Sequence, residues 1–483
     1  MEWLRILFYV SVALNFLLLI MMIFLEKRQP ENIIAWMTVL TFLPILGFIF
    51  YVIFGSGLSR RVRTMIKKKA ISERDIINNI PGIKTLENAR VDSVFENDRE
   101  LMTLCYNQGA YPLPGNDIQI FTSGKAKIEA LKKDLLEAKS SINIEYYIFA
   151  NDKVGKEIME ILCQKAQEGL DVNLIFDSIG SRKAPRRFFR QLSKAGGHVG
   201  EFFPPFSHIR LMNWKLNYRN HRKIVVIDGK IGYTGGINIR DDHMGEDKKL
   251  SPWRDTHIRI EGAGVYGLQN IFLDDWRYCT RDNTPPAIYL HNGYFPSPEI
   301  KGDAMVQVLS SGPDSQLPKI KETYIQMITN AKERVYIQTP YFIPDDTFFA
   351  ALRVAVKSGV DVRIMVPRKP DKKTVYMATL SYLKEMAELG IKIYLYDGFL
   401  HSKTLLVDDN KVSIGTCNTD NRSFSLNFEN TVLIYSKEIN DDCKAIFEED
   451  EKHSQLVNIN YFQKKKWITK FLQAIMRLLS SLF

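Results

Sequence analysis

A chain of 483 residues exceeds one ordinary domain and suffices for two large cores. Its formal net charge of +10 suits nucleic acid or an anionic bilayer equally and decides between neither. Five scattered cysteines with no C-x-x-C pair exclude a disulfide framework and a zinc-thiolate site, and fit a reducing compartment.

The N-terminus opens on two charge-free apolar segments, Ile6 to Leu25 and Ile33 to Phe54, of 20 and 22 residues. Each is long enough to span the hydrocarbon core, so residues 1–58 are expected to form a two-helix transmembrane hairpin. A cleaved signal peptide is the alternative for the first segment, but no small-x-small cleavage site is clear and a second apolar segment follows. Pro44 is expected to kink the second span. A basic linker follows over 59–111, where Arg60, Arg61, Arg63, Lys67, Lys68 and Lys69 cluster just beyond the second span, whereas the loop Glu26 to Asn32 is formally neutral. That bias places the remainder of the chain on the cytoplasmic side.

From residue 112 onward the chain repeats itself. Ile118-Gln119-Ile120-Phe121-Thr122-Ser123-Gly124 resembles Val306-Gln307-Val308-Leu309-Ser310-Ser311-Gly312. Ile142 to Tyr147 likewise resembles Val335 to Pro340, and Gly169 to Phe176 mirrors Gly359 to Val366. Strand-like runs alternate with amphipathic helical stretches, which predicts an α/β sheet in each of two similar domains, 112–284 and 304–460. Between them 285–303 reads as a linker, with Pro285, Pro286, Pro296 and Pro298 at the boundary and no periodic apolar pattern. Two such domains can pack pseudo-symmetrically.

The strongest repeat is His221-Arg222-Lys223-Ile224-Val225-Val226-Ile227-Asp228, which returns 180 positions later as His401-Ser402-Lys403-Thr404-Leu405-Leu406-Val407-Asp408. Gly235 and Gly415 both lie 14 positions after their His, and Asn238 and Asn418 both lie 17 after. With only eight histidines, two such H-x-K-x4-D copies arise by accident in on the order of one chain in a thousand. Each copy reads as strand, turn, strand. His and Lys at i and i+2 share a face, while Asp228 and Asp408 fall at the strand end and suit an anchor for the turn and a balance of charge near Lys.

Two imidazoles at one phosphate divide the work: one attacks phosphorus, the other protonates the leaving alkoxide and later accepts a proton from an incoming hydroxyl. The catalytic set is thus His221, Lys223 and Asp228 with His401, Lys403 and Asp408. Lys223, Lys403, Asn238 and Asn418 supply donors for phosphoryl oxygens, and Gly235 and Gly415 allow close backbone approach. Each His needs an acceptor for its other nitrogen. Glu429 and Asp255 follow their motifs at comparable places and are expected to orient His401 and His221 respectively, an ordinary salt bridge with Arg254 or a lysine being the alternative. His208, His243 and His257 lie near the first motif as candidates to line an acceptor site, or as surface or hydrogen-bonded histidines. No metal and no cofactor are expected.

At the C-terminus, Lys464-Lys465-Lys466 precede Trp467, Ile468, Phe471, Leu472, Ile475, Leu478, Leu479 and Leu482. Residues 461–483 thus read as a basic amphipathic helix, suited to the headgroup interface or, alternatively, to docking on the protein's own core.

The duplicated H-x-K-x4-D with its trailing Gly and Asn resembles the phospholipase D superfamily. The layout, with Pro252-Trp253-Arg254-Asp255-Thr256-His257 and Thr339-Pro340-Tyr341-Phe342, is similar to the bacterial cardiolipin synthases within it. The resemblance implies two phospholipase D-like domains behind a membrane hairpin in a bacterial cell membrane. It also implies His221 as nucleophile and His401 as acid, phosphatidylglycerol and cardiolipin as substrate and product, and no nucleic-acid partner. A hydrolytic phospholipase D, a membrane-tethered nuclease and a non-catalytic scaffold are the alternatives; complete His, Lys and Asp sets in both halves weigh against the last.

Overall fold

The structure is a computed structural model, and it describes residues 2–25, 30–51, 98–204, 218–247, 249–280, 293–315, 317–478 and 480. The basic cluster from Arg60 to Lys69, His208, Pro285 and Pro286 lie outside the described residues. The chain divides into two units, Met1–Val62 with Phe203–Tyr218, and Arg63–Phe202 with Arg219–Phe483.

In the first unit, α1 spans Glu2–Leu25, α2 Pro30–Phe42 and α3 Pro44–Phe50. The second apolar segment is therefore not one continuous helix. Pro44 has no N–H to give to the carbonyl four residues back, Leu40, and the helix breaks at Leu43. The side chain of Asn15, in the middle of α1, donates to that same Leu40 carbonyl at 3.0 Å. A buried polar residue in an apolar helix thus satisfies the acceptor that proline orphans. Among the described residues no helix is long and apolar enough to cross a membrane; several side chains of α1 are not among those described.

The second unit holds both repeats in one sheet. The first half contributes β1 (Leu113–Phe121), β2 (Ser141–Tyr146), β3 (Asp171–Asp177), β4 (His198–Phe202), β5 (Arg219–Asn220), β6 (Lys223–Ile227), β7 (Ile231–Gly235), β8 (Trp253–Arg254) and β9 (His257–Glu261). The second contributes β10 (Ala304–Ser311), β11 (Arg334–Gln338), β12 (Phe342–Ile343), β13 (Asp361–Pro367), β14 (Lys392–Tyr396), β15 (Phe399–Leu400), β16 (Thr404–Val407), β17 (Lys411–Gly415), β18 (Thr419–Asp420), β19 (Asn427–Tyr435) and β20 (Ser454–Val457). The main path runs β20-β14-β13-β11-β16-β17-β19-β10-β1-β9-β7-β6-β2-β3-β4. Read outward from the centre, each half repeats the same order, and the three sequence repeats fall on β1 and β10, β2 and β11, and β3 and β13.

Outward from the motif strands, β2, β3 and β4 in the first half and β11, β13 and β14 in the second pair in parallel, and the inner ones, β2 and β3, are buried throughout or nearly so, as helix-covered parallel strands must be. The central strands pair antiparallel, and β1 joins β10 at an irregular seam, Leu113 opposite Val306 and Asn116 opposite Ala304. Asn116 closes that irregularity: its amide donates to the Leu113 and Ala304 carbonyls and its oxygen accepts from Gly264 N. Each half has its own apolar core, one around Ile144, Leu162 and Val225, the other around Ile337, Leu352 and Leu405.

Candidate active site

Both motif histidines sit just ahead of a fully buried strand, His221 before β6 and His401 before β16. The two residues leading into each motif do not pair within their own half. β5 runs parallel to the start of β19, Asn427 opposite Arg219, and β15 runs parallel to β8, Phe399 opposite Trp253. The same crossing continues at the histidines, whose backbone N–H groups donate to Phe428 O at 2.9 Å (His221) and to Arg254 O at 2.7 Å (His401).

The side chains follow. Nδ1 of His221 lies 3.0 Å from both carboxylate oxygens of Glu429, and Nδ1 of His401 lies 2.7 Å from Oδ2 of Asp255. The expected pairing of Glu429 with His401 and Asp255 with His221 is therefore exchanged, because the two short parallel pairings carry each motif across to the other half's carboxylate. Both carboxylates are fully buried. Glu429 accepts from Thr416 Oγ1 at 2.5 Å and Asn427 Nδ2 at 3.1 Å, and Asp255 accepts from Thr256 N at 2.8 Å.

Glycine explains how the carboxylates fit. Gly235 has φ 147°, and a Cβ there would stand 2.5 Å from His257 Cα on β9; one on Gly415 would stand 2.4 Å from the Asn430 carbonyl on β19. The close approach is to the facing strand. At the next position the halves differ: a Cβ on Gly236 would fall 1.9 Å from Asp255 Oδ1, whereas Thr416 fills that place with the hydroxyl that holds Glu429.

Lys223 and Lys403 are buried, and each Nζ donates to the carbonyl of its own motif histidine. Burial pushes Lys223 down to about 7 and Lys403 down to about 8. Burial also lowers His221, to about 4, against the pull of Glu429 and assisted by Lys223 and Lys403. His401 falls well below its ordinary value, from burial first and then from Lys403, Lys223 and His221. The two motifs thus act on one another's charges. Burial pushes Glu429 up, but His221, Lys223 and Thr416 outweigh it and hold the carboxyl below its usual range. Asp255 is raised by burial.

Other expected site residues sit differently. Asp228 and Asp408 stand at the far ends of β6 and β16, away from the histidines, with φ 54° and 52°. Asp228 accepts from the N–H groups of Lys139, Ser140 and Ser141 and from Ser140 Oγ; Asp408 accepts from Lys332, Glu333 and Arg334 N. They tie the loops that enter β2 and β11, the anchoring that their place at the strand ends suits. Asn238 is turned to protein, its oxygen accepting from Ile148 N at 3.2 Å and its amide 3.3 Å from His243 Nε2. Asn418 hydrogen-bonds Asp420, and its Oδ1 is buried without a partner among the described residues.

Of the additional histidines, His243 is at the site. It is buried, its Nδ1 lies 3.8 Å from Asp255 Oδ2, and its ring meets that of His401 edge-on at 5.4 Å. The ligand atoms of His243, Asp255 and His401 lie within 4.8 Å of one another, close enough to close on a metal ion. His257 is buried in β9 with both ring nitrogens unpaired among the described residues.

Sequence reasoning missed a polar layer beneath the site. Arg222, the variable residue of the first motif, ion-pairs with Asp275 and donates to Ser310 Oγ and the Glu429 carbonyl. Arg254 reaches from the first half to Asp450 in the second, at 3.0 Å through both Nε and Nη2. Nothing in an isolated arginine marks it for such a role. Tyr147 sets its ring edge-on to His221 at 4.9 Å, with Lys223 Nζ 5.6 Å above it. Its counterpart in the second copy of the repeat is Pro340, so the duplication hides it.

The family described as "Cardiolipin synthase, PLD-like domain" matches residues 131–250 and 324–451, and a phospholipase D-nuclease N-terminal family matches 13–56. The chain is 43% identical over 485 residues to a cardiolipin synthase of Listeria welshimeri, covering 99% of each chain. It is 42% identical to the major cardiolipin synthase ClsA of Bacillus subtilis, covering 97% of each. The phosphatidylserine synthase structure from Haemophilus influenzae shares the fold, with TM-score 0.62 at 17% identity over 80% of this chain and 100% of that one.

Proposed function

The chain belongs to the cardiolipin synthase family with phospholipase D-like domains, and from that membership we propose that it transfers a phosphatidyl group between two phosphatidylglycerol molecules, giving cardiolipin and glycerol. The enzyme is a phosphatidyltransferase. The observation that carries the mechanism is the crossed pair of buried His–carboxylate dyads facing two buried lysines.

Burial keeps His221 neutral at neutral pH, and the ionised Glu429 at its Nδ1 leaves Nε2 as the nucleophilic lone pair. Nε2 attacks phosphorus as the bond to the departing glycerol oxygen breaks, and His401 gives that oxygen its proton. The arriving phosphodiester brings negative charge between Lys223 and Lys403, which offsets their effect on His401 and raises its proton affinity for this task. Lys223 and Lys403 hold the non-bridging oxygens through the charged transition state. Once glycerol has left, the hydroxyl of a second phosphatidylglycerol gives its proton to His401 and attacks phosphorus, and the N–P bond breaks. One phosphodiester replaces another, so the exchange needs no nucleotide.

The N-terminal unit serves as the membrane anchor in this reading, a hairpin of α1 and the α2–α3 segment with the catalytic halves on the cytoplasmic side. α1 turns Trp3, Phe16 and Leu17 outward at 84%, 63% and 62% exposure, which suits lipid rather than water.

The test is incubation of the purified protein in detergent with phosphatidylglycerol and a chelator, with cardiolipin, phosphatidic acid and glycerol quantified beside His221→Ala and His401→Ala. Cardiolipin matched by glycerol and lost in both variants supports transfer; phosphatidic acid with little cardiolipin makes the protein a hydrolase instead.

A further inference from the structure

The helix Trp467–Leu478 carries its apolar residues on the wrong side for packing on its own protein. Trp467, Ile468, Phe471, Leu472 and Leu478 are 74%, 50%, 56%, 39% and 82% exposed and fall on one face at helical spacing. The opposite face, with Thr469, Gln473 and Met476, is partly or fully covered.

What holds the helix is polar. Arg477 forks onto Glu385 in the helix Lys373–Glu388, with Nη2 3.1 Å from Oε2, and its guanidinium lies 4.5 Å above the ring of Tyr382. The Tyr382 hydroxyl meets Ser480 Oγ at 3.2 Å. Over the described part of the stripe, the side chains of Trp467, Ile468, Phe471, Leu472 and Leu478 face away from the contact, with Ile475 partly covered, which disfavours docking of that face on the protein's core; Leu479 and Leu482 lie outside the described residues.

We propose that this face seats in the headgroup interface of an anionic bilayer and fixes the distance between that surface and the acid–base side of the site. Two observations select a bilayer as the occupant, and a third links the seated face to the site. Lys464, Lys466 and Lys470 flank the stripe as exposed cations, matching anionic headgroups. Trp467 stands at the end of the stripe next to those lysines, where an amphipathic ring meets the boundary between water and acyl chains. The helix on which the segment is clamped, Lys373–Glu388, begins beside Lys372, whose Nζ lies 5.7 Å above the ring of Tyr341, two residues from Thr339, whose hydroxyl accepts from Thr419 N next to Asn418 of the second motif. That helix is a strut from the site's rim to the seated face, so an acceptor lipid in the bilayer is presented on the His401 side. This last step rests on the phosphatidyl-transfer reading; the seating itself does not.

The full-length protein, reconstituted in vesicles containing phosphatidylglycerol and lipids brominated in the acyl chains, tests both parts. Trp467 fluorescence is read as the difference between wild type and Trp467→Phe. Bromine is expected to quench that component, and less in vesicles of phosphatidylcholine alone; a component untouched by bromine overturns the seating. Phe471→Ser with Leu472→Ser leaves the Arg477–Glu385 clamp intact. Its turnover of long-chain phosphatidylglycerol in vesicles is expected to fall about 5-fold, with turnover of a dispersed short-chain analogue unchanged. Equal loss on both, or lipid-independent cross-linking between these helices of two copies, overturns the proposal. Quenching without turnover of any phosphatidylglycerol would remove the functional reading and leave the seating standing.

Discussion

His221 in the first half and Glu429 in the second are joined through Nδ1 at 3.0 Å to both carboxylate oxygens, so the dyad bridges the two halves. Glu429→Gln removes the charge that makes His221 a nucleophile while leaving a group of the same shape. By analogy with loss of the orienting carboxylate in other His-dependent enzymes, kcat falls on the order of 10⁴-fold with the fold unchanged by circular dichroism. In His401→Ala, a substrate whose leaving group needs no proton still loads the enzyme, and mass spectrometry finds the adduct on His221. An adduct elsewhere assigns the nucleophile differently.

Gly236→Ala places a methyl where Asp255 Oδ1 stands, 1.9 Å from the ideal Cβ. Asp255 must move, and His401 loses its acceptor. Turnover of phosphatidylglycerol is expected to drop roughly 100-fold, the scale on which small misplacement of a catalytic group costs rate. Ala at Gly245, where nothing lies within 4 Å but φ is 84°, is expected to cost stability through its left-handed backbone and to spare the turnover of the folded fraction; a similar loss of turnover there would sink the explanation.

Asp228→Ala strips an acceptor from three backbone N–H groups and one hydroxyl that enter β2, and leaves alanine in left-handed backbone. Burial alone would raise this carboxyl, but the Ser141, Lys139 and Ser140 N–H groups hold it below its ordinary value. Denaturant melts are expected to show about 2–4 kcal/mol lost, from unpaired donors and the strained φ. The surviving folded fraction keeps its KM for phosphatidylglycerol. A KM increase without loss of stability would return Asp228 to the substrate site.

The two lysines set an alkaline limit. Both are lowered by burial, to about 7 and about 8, so each is charged below that range and neutral above it. A neutral lysine cannot hold a phosphoryl oxygen. Hence kcat/KM, which reports the free enzyme, is expected to fall as pH rises from about 7 to about 8, while kcat persists to higher pH because bound phosphate keeps the lysines protonated. Parallel limbs in both parameters would contradict this.

Much of the site was legible because duplication is a long-range signal carried in local sequence. The repeats at Ile118 and Val306, Ile142 and Val335, and Gly169 and Gly359 became equivalent strands, since alternation and β-branching are properties of a segment alone. The crossed dyads were not legible. They depend on β5 and β15, two-residue strands with no periodicity, whose partners lie some 150 to 200 positions away. Asp228 illustrates a residue whose motif membership suggests chemistry while its position at a strand end dictates anchoring. Pro44 was readable as a disturbance, but its remedy, Asn15 on the neighbouring helix, was not.

A site stitched in this way would arise equally well from two identical subunits, each lending a carboxylate to the other. Carrying both in one chain removes two constraints at once. The centre cannot be lost by dilution, and its flanks are free to diverge, as Arg222 and Ser402, Gly236 and Thr416, and Asp255 and Glu429 have done. A centre that symmetry would force to be even-handed can thereby assign bond formation to one flank and proton delivery to the other.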